Sequence, residues 1–497
     1  MAKVIMIQGT MSNVGKSLIT AGLCRAFRQD GYSVAPFKSQ NMALNSFITD
    51  EGLEMGRAQV VQAEAAGIAP SALMNPILLK PVTDMGSQVI VNGEVRGNMQ
   101  AADYFKYKSE LIPVVMKAFD TLSAQYDVIV IEGAGSPAEI NLMRDDIVNM
   151  GLAKMTGAPV LLAGDIDRGG VFAQIAGTLI LLDKAECDMV KGTIINKFRG
   201  DIEILRPGLS MLEERSGKPV IGVLPYLKVD IEDEDSLTER FHHVAKSAVL
   251  DIAVIRLPKI SNFTDFMALE ATEGVALRYV NNIRALGQPD MIILPGTKNT
   301  IADMKWLRTS GLEAAILRYA EHGTPVFGIC GGYQMLGKTI CDTDNTEGGG
   351  EIAGMGLLPV YTEFVPEKQR LRSRGTVTGA KNALMTLNGT VAEGYEIHMG
   401  ISHLEKDAEP LIQLDNGSLD GCASGNVAGT YLHGFFDSAP CRDAVITALC
   451  EQKKIPLPCL HSFDFALYKQ EQFDKLADAL REHLDMPFIY RVLEKKI

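Results

Sequence analysis

Gly9-Thr10-Met11-Ser12-Asn13-Val14-Gly15-Lys16-Ser17 follows the apolar run Val4–Ile7 and opens a stretch with helical spacing. A strand that passes through a glycine-rich turn into a helix is the context a phosphate-binding loop needs. Glycines let the backbone curl until successive N–H groups face one anion, and the helix N-terminus adds partial positive charge. Gly9, Thr10, Asn13 and Gly15 are therefore expected to bind a nucleotide, with Lys16 reaching its β- and γ-phosphates and the Ser17 hydroxyl on magnesium. Five residues separate Gly9 from Gly15, one more than the usual pattern.

Working outward, Val128–Ile131, Val160–Leu162 and Thr193–Ile195 repeat the short apolar run closed by polar residues. Runs of this kind, alternating with helical stretches, read as buried parallel strands of a doubly wound, mostly parallel α/β sheet. Ligands of such sheets sit at the carboxyl ends of the strands. Glu132 ends one strand, in Ile-Glu-Gly-Ala-Gly-Ser, and is expected to hold magnesium directly or through water. Asn196 ends another strand, where an Asn also serves as a helix cap. Near Val229–His243 the composition turns acidic and ends in a His242–His243 pair, which reads as a solvated linker. Strand-like runs restart at Ile252–Ile255, Met291–Leu294 and Val326–Ile329. The expected organisation is thus a nucleotide domain over 1–235, a second α/β domain over 250–445 and a C-terminal helical segment over 446–497.

In the second domain Gly328-Ile329-Cys330-Gly331-Gly332-Tyr333-Gln334 puts a cysteine between a strand and a helix. The glycines permit a strained turn that exposes the thiol, and a helix N-terminus favours thiolate. The Gly331 N–H can face an oxyanion, a contact worth about 3 kcal/mol in acyl transfer. A second donor is expected from Leu294-Pro295-Gly296-Thr297, through the Gly296 backbone. About a hundred residues on, Gly429-Thr430-Tyr431-Leu432-His433-Gly434-Phe435 carries a histidine after a short β-like run. Cys330 and His433 make the expected base-activated nucleophile, with His398 as the rival base.

The bulk composition narrows the setting. A net charge of -13 without a Lys/Arg cluster argues against nucleic acid as partner. Eight cysteines without a C-x-x-C pair read as reduced thiols rather than disulfides or a zinc site. The N-terminal residues lack a signal peptide's apolar region, and no apolar stretch approaches the ~20 residues of a membrane helix. A cytoplasmic enzyme with no membrane partner is expected.

The phosphate loop with its extra residue resembles that of dethiobiotin synthetase and its relatives, which phosphorylate a carboxylate. That resemblance implies ATP as cofactor, and it makes Asn196-Lys197 similar to a base-recognition dipeptide. The Cys330 elbow and His433 resemble the class I, triad-type glutamine amidotransferases. By that resemblance Cys330 attacks the glutamine amide, releases ammonia and leaves a glutamyl thioester. Most of that class have His-x-Glu, whereas position 435 here is phenylalanine, so either a third member comes from elsewhere or a dyad suffices.

The two halves in this order resemble the cobyrinate amidase group of cobalamin biosynthesis. The resemblance is carried by Pro36–Ser46, Glu54–Gln59, Met74–Pro76 with Lys80-Pro81, Gly135–Leu142 and Asp146–Met150. In the second half it is carried by the Cys330 elbow, Glu393–Gly400 and Tyr431–Phe435. It implies ATP, Mg2+, glutamine and a cobalt-containing corrinoid, with amidation at the b, d, e and g carboxylates of adenosylcobyrinic acid a,c-diamide. Lys38, Gln40, Asn41 and Asn45 are then expected to hydrogen-bond substrate carboxylates and amides. The alternatives are amidation of the a and c carboxylates or of a cell-wall precursor, a partitioning ATPase, and a glutaminase that feeds a separate partner.

Overall fold

Val-Ile-Val-Ile at 128–131 has no polar face, so a sheet built from such runs must be covered on both sides. The computed structural model describes residues 2–83, 86–142, 146–232, 248–456 and 463–497. The chain divides into two units: Met1–Ala43 with Leu53–Glu232 and Ala466–Ile497, and Leu44–Gly52 with Asp233–Phe465. The expected linker lies largely outside the described residues, and the His242–His243 pair entirely so.

The first unit is built on six parallel strands in the order Val220–Pro225, Val190–Phe198, Val160–Asp165, Lys3–Gly9, Val128–Glu132 and Val34–Phe37. Four of them coincide with the apolar runs. The two outermost strands escape that reading; one of them contains Pro36, tolerated where a strand has a neighbour on one side only. In the register Gly9 lies opposite Ala163, and Ile7 opposite Glu132. The phosphate loop and the Glu132 carboxylate therefore leave the sheet at the same carboxyl edge. A smaller sheet joins Gln40–Met42, Ile77–Thr83, Gly86–Val91 and Glu94–Gln100.

Helix Phe465–His483 and helix Met486–Leu493 complete this unit. Leu480, Ile489 and Val492 share one core with Ile5, Ile7 and Leu161 of the central strands. Gly22, on helix Lys16–Gln29, lets Leu480 approach: an added Cβ would lie 2.4 Å from its Cδ1. Arg25 Nε pairs with Asp474 Oδ1 at 2.7 Å across the same contact. The segment 446–497 is thus not one body. Helix Ala439–Lys453 belongs to the second unit, whereas the apolar stripe of the last two helices is buried in the first.

The second unit has its own six-stranded sheet: Val275–Val280, Leu250–Ile255, Met291–Leu294, Val326–Ile329, Val427–Thr430 and Cys422–Ser424. All neighbours are parallel except the last pair. Ile329 lies opposite Thr430, so the residues that follow the two strands, Cys330 and Tyr431–His433, emerge side by side. A long antiparallel pair, Val360–Val377 with Val391–Leu404, belongs to a second sheet. The short strand Ser46–Ile48 also lies in this unit, with Ile48 buried against Tyr395 and Ile397. Among the described residues no helix is long and apolar enough to cross a membrane.

Candidate active site

In the first unit the phosphate loop closes tightly on itself. Gly9 has no room for a side chain, since a Cβ would meet Val14 Cγ2 at 2.4 Å. Lys16 Nζ donates to the carbonyls of Met11 and Gly135, both at 3.1 Å. Ser17 Oγ donates to Glu132 Oε1 at 2.8 Å. Glu132 is 1% exposed, a position a carboxylate occupies only when fully partnered. Lys38 Nζ reaches Oε1 at 2.9 Å, while Gln62 Nε2 and Gln59 Nε2 donate to Oε2 at 2.6 and 3.4 Å.

Asn196 and Lys197 act on the loop itself: Asn196 Nδ2 donates to the Val14 carbonyl and Lys197 Nζ to the Asn13 carbonyl, each at 2.7 Å. Thr10 Oγ1 donates to Gln174 Oε1 at 3.1 Å. Asn149 steadies the turn after Glu132, donating to the Ala134 carbonyl and accepting from the Ala134 N–H. Three of the four residues expected to meet substrate, Lys38, Gln40 and Asn41, lie in the first unit. Lys38 pairs with Glu132, Asn41 Nδ2 donates to Gln59 Oε1 at 3.0 Å, and Gln40 accepts from the Tyr104 hydroxyl. Asn45 lies in the second unit. Ser17 Oγ and the Glu132 carboxylate fit a magnesium ion, which takes a few hard oxygen ligands and keeps water and phosphate for the rest. Among the described residues there is no group of three or more His, Cys, Asp or Glu that could hold a metal.

In the second unit the elbow turns as its glycines suggest, but the thiol is not exposed: Cys330 is buried, with Sγ 3.8 Å from the Ile397 carbonyl oxygen. Cys330 has φ 50° and ψ −108°, a left-handed turn that a non-glycine residue adopts only under constraint. Gly332 makes that turn possible: a Cβ there would stand 2.0 Å from the Leu294 carbonyl oxygen. The His433 side chain hydrogen-bonds through Nδ1 with Asp265 Oδ2 at 2.7 Å, and Cys330 is near enough to the ring to act on its charge. Asp265 Oδ1 accepts from the Gly434 N–H at 3.1 Å, so both oxygens serve the same loop. Burial opposes a charge on His433, but the Asp265 carboxylate, with Cys330 beside the ring, outweighs it and raises the pKa to about 10. A Cβ on Gly296 would lie 3.1 Å from His433 Cε1, which brings the expected oxyanion loop beside the imidazole.

His398, the rival base, is turned to other partners. Its Nδ1 lies 2.7 Å from the Gly400 carbonyl and its Nε2 3.5 Å from Glu396 Oε2. Asp265 is the group that sequence reasoning missed. It sits in the 3-10 turn Phe263–Phe266, 168 residues before His433, in a stretch with no motif. The one signal available was a polar turn, Ser261-Asn262-Phe263-Thr264-Asp265, shortly after the strand Leu250–Ile255.

A phosphate loop at the carboxyl edge of one parallel sheet, and a cysteine elbow with a His–Asp pair at the edge of another, define a glutamine amidotransferase joined to a nucleotide-binding domain. Family models agree: a CobQ/CobB/MinD/ParA nucleotide binding domain matches residues 5–237 and a CobB/CobQ-like glutamine amidotransferase domain matches 251–441. The chain is 58% identical to a cobyric acid synthase of Lachnoclostridium phytofermentans, with 100% of both chains covered. It is 57% identical to that of Ruminiclostridium cellulolyticum, over 100% of this chain and 98% of the other. For the protein of Yersinia enterocolitica the identity is 53%, over 99% and 98%. The chain belongs to the cobyric acid synthase family, glutamine-dependent amide-forming ligases of cobalamin biosynthesis.

Proposed function

We propose that the chain converts adenosylcobyrinic acid a,c-diamide to cobyric acid by amidating the b, d, e and g carboxylates with glutamine and ATP. Glutamine cleavage is supported above all by the buried His433–Asp265 pair beside Cys330. The Cys330 thiolate attacks the side-chain amide carbon of glutamine while the N–H groups of Gly296 and Gly331 face the developing oxyanion. His433, held protonated by Asp265, gives its proton to the departing ammonia. The now neutral ring takes a proton from water, which hydrolyses the glutamyl thioester, releasing glutamate and restoring the thiolate beside a protonated His433.

In the first unit Lys16 is the cation for the β- and γ-phosphates, released from the two loop carbonyls it holds here. Ser17 and Glu132 would hold the magnesium ion, which neutralises phosphate charge when bound. A substrate carboxylate oxygen takes the γ-phosphoryl group and ADP leaves. Ammonia adds to the acyl phosphate, phosphate departs and the amide remains. Positioning and charge neutralisation carry most of such a transfer. Asn196 and Lys197 serve it by fixing the loop backbone.

Cys330→Ala, assayed on the a,c-diamide with ATP, is expected to lose amidation with glutamine and retain it with ammonium chloride. Wild-type protein that releases glutamate from glutamine yet leaves the corrinoid unmodified would refute the substrate assignment.

A further inference from the structure

Leu44–Gly52 is encoded within the nucleotide half but is built into the second unit. Asn45 and Ser46 are 1% and 0% exposed there. One bond from each meets on a single residue: the Asn262 N–H donates to Asn45 Oδ1 at 2.8 Å, and the Ser46 N–H donates to Asn262 Oδ1 at 3.2 Å. Asn262 has φ 52° and precedes the turn that carries Asp265, whose N–H donates back to the Asn262 carbonyl. Asn tolerates this left-handed conformation when local hydrogen bonds hold it. On the other side, the Ser261 N–H donates to the Gly296 carbonyl at 2.9 Å. The residue that Asn45 and Ser46 grip is thus linked to the triad carboxylate in one direction and to the oxyanion loop in the other.

A second path runs through Tyr395. Its hydroxyl donates to the Ser46 carbonyl at 3.2 Å, and Phe47 packs edge-on to its ring at 5.1 Å. Tyr395 exchanges two backbone hydrogen bonds with His433, at 3.1 and 2.9 Å, and its ring stacks on the imidazole at 5.3 Å. Asp265 and His433 are therefore one residue removed from the same short segment, and Gly296 two.

Taking Cys330 as the glutaminase nucleophile, we propose that Leu44–Gly52 is a strap that sets the His433–Asp265 pair and the Gly296 loop for glutamine hydrolysis. Asn45, Ser46 and Phe47 are its positioning residues. Asn45 then acts on ammonia release, not on the corrinoid. The strap's stem in sequence is Lys38–Met42, whose Lys38 pairs with Glu132, so the segment that shapes the glutaminase is continuous with one that meets the nucleotide site.

Asn45→Ala and Tyr395→Phe test this, the second removing only a hydroxyl. Glutamate release from glutamine and ammonia-dependent amidation are measured side by side with ATP and the a,c-diamide, together with thermal unfolding. In each variant kcat for glutamine is expected to fall about ten- to a hundredfold with little change in glutamine KM. The pH profile of that step shifts, and ammonia-dependent turnover stays at the wild-type level. Unchanged glutamine kcat in Tyr395→Phe and in folded Asn45→Ala overturns the proposal. So does a parallel loss of ammonia-dependent turnover, which would make Asn45 a substrate contact. Absence of glutamate release from wild type would overturn the reading of Cys330 and the strap with it.

Discussion

A carboxylate 2.7 Å from a fully buried imidazole decides which form of that ring the fold prefers. In this site it is the imidazolium, the partner that a thiolate nucleophile needs. The folded pKa of His433, about 10, lies above the 6.5 of an ordinary imidazole. The stabilisation is therefore complete below pH 6.5 and is lost as the pH rises towards 10. Asp265→Asn removes its cause. The difference in unfolding midpoint between wild type and Asp265→Asn is expected to be largest near pH 6 and to shrink steadily towards pH 10. Glutamine kcat of the variant should fall at least about tenfold, because the ring loses the group that orients it. A midpoint difference independent of pH would mean that Asp265 contributes packing alone. The strained elbow at Cys330 was legible because glycines flank it, and so was the loop that carries His433. Asp265 was not, because a carboxylate in a 3-10 turn looks like any solvated turn until the fold closes over it.

Helix Phe465–His483 shows what periodicity reveals and what it leaves open. Its apolar spacing marks it as a packed helix, yet spacing carries no address: the stripe fits any apolar face of matching width. The decision is made by shape, with Gly22 opening a gap that Leu480 fills. Leu480→Ala is expected to cost about 3 kcal/mol, through lost burial and the cavity left at that contact. Differential scanning calorimetry with and without ATP should show the loss in the transition that ATP stabilises. The glutamine-hydrolysis rate of the remaining folded protein should match wild type. The strand Ser46–Ile48 was illegible for a similar reason, since three residues are too few to announce which sheet or core they join. The central strands, apolar on both faces, could be placed from sequence because only a doubly covered sheet accepts them.

Across the whole molecule, the boundaries in sequence and the boundaries in space do not coincide. Family models divide the chain near residues 237 and 251, whereas the compact units exchange Leu44–Gly52 and Ala466–Ile497 across that division. A fragment of residues 1–232 therefore lacks Leu480, Ile489 and Val492, which share a core with the central strands. Expressed alone, it is expected to show no cooperative thermal transition and no shift of melting by ATP. Cooperative unfolding with full-chain ATP affinity would mean that the terminal helices are dispensable to that core. The interleaving also sets a schedule for birth on the ribosome. Chains commonly fold from the N-terminus as they emerge. Here the nucleotide loop and its sheet are made before the second unit, and the helices that complete their core after it. At usual elongation rates the second unit takes roughly ten to fifty seconds to synthesise. For that interval the nascent first unit exposes the apolar surface its last helices will cover, which makes it a client for chaperones while the glutaminase unit is being made.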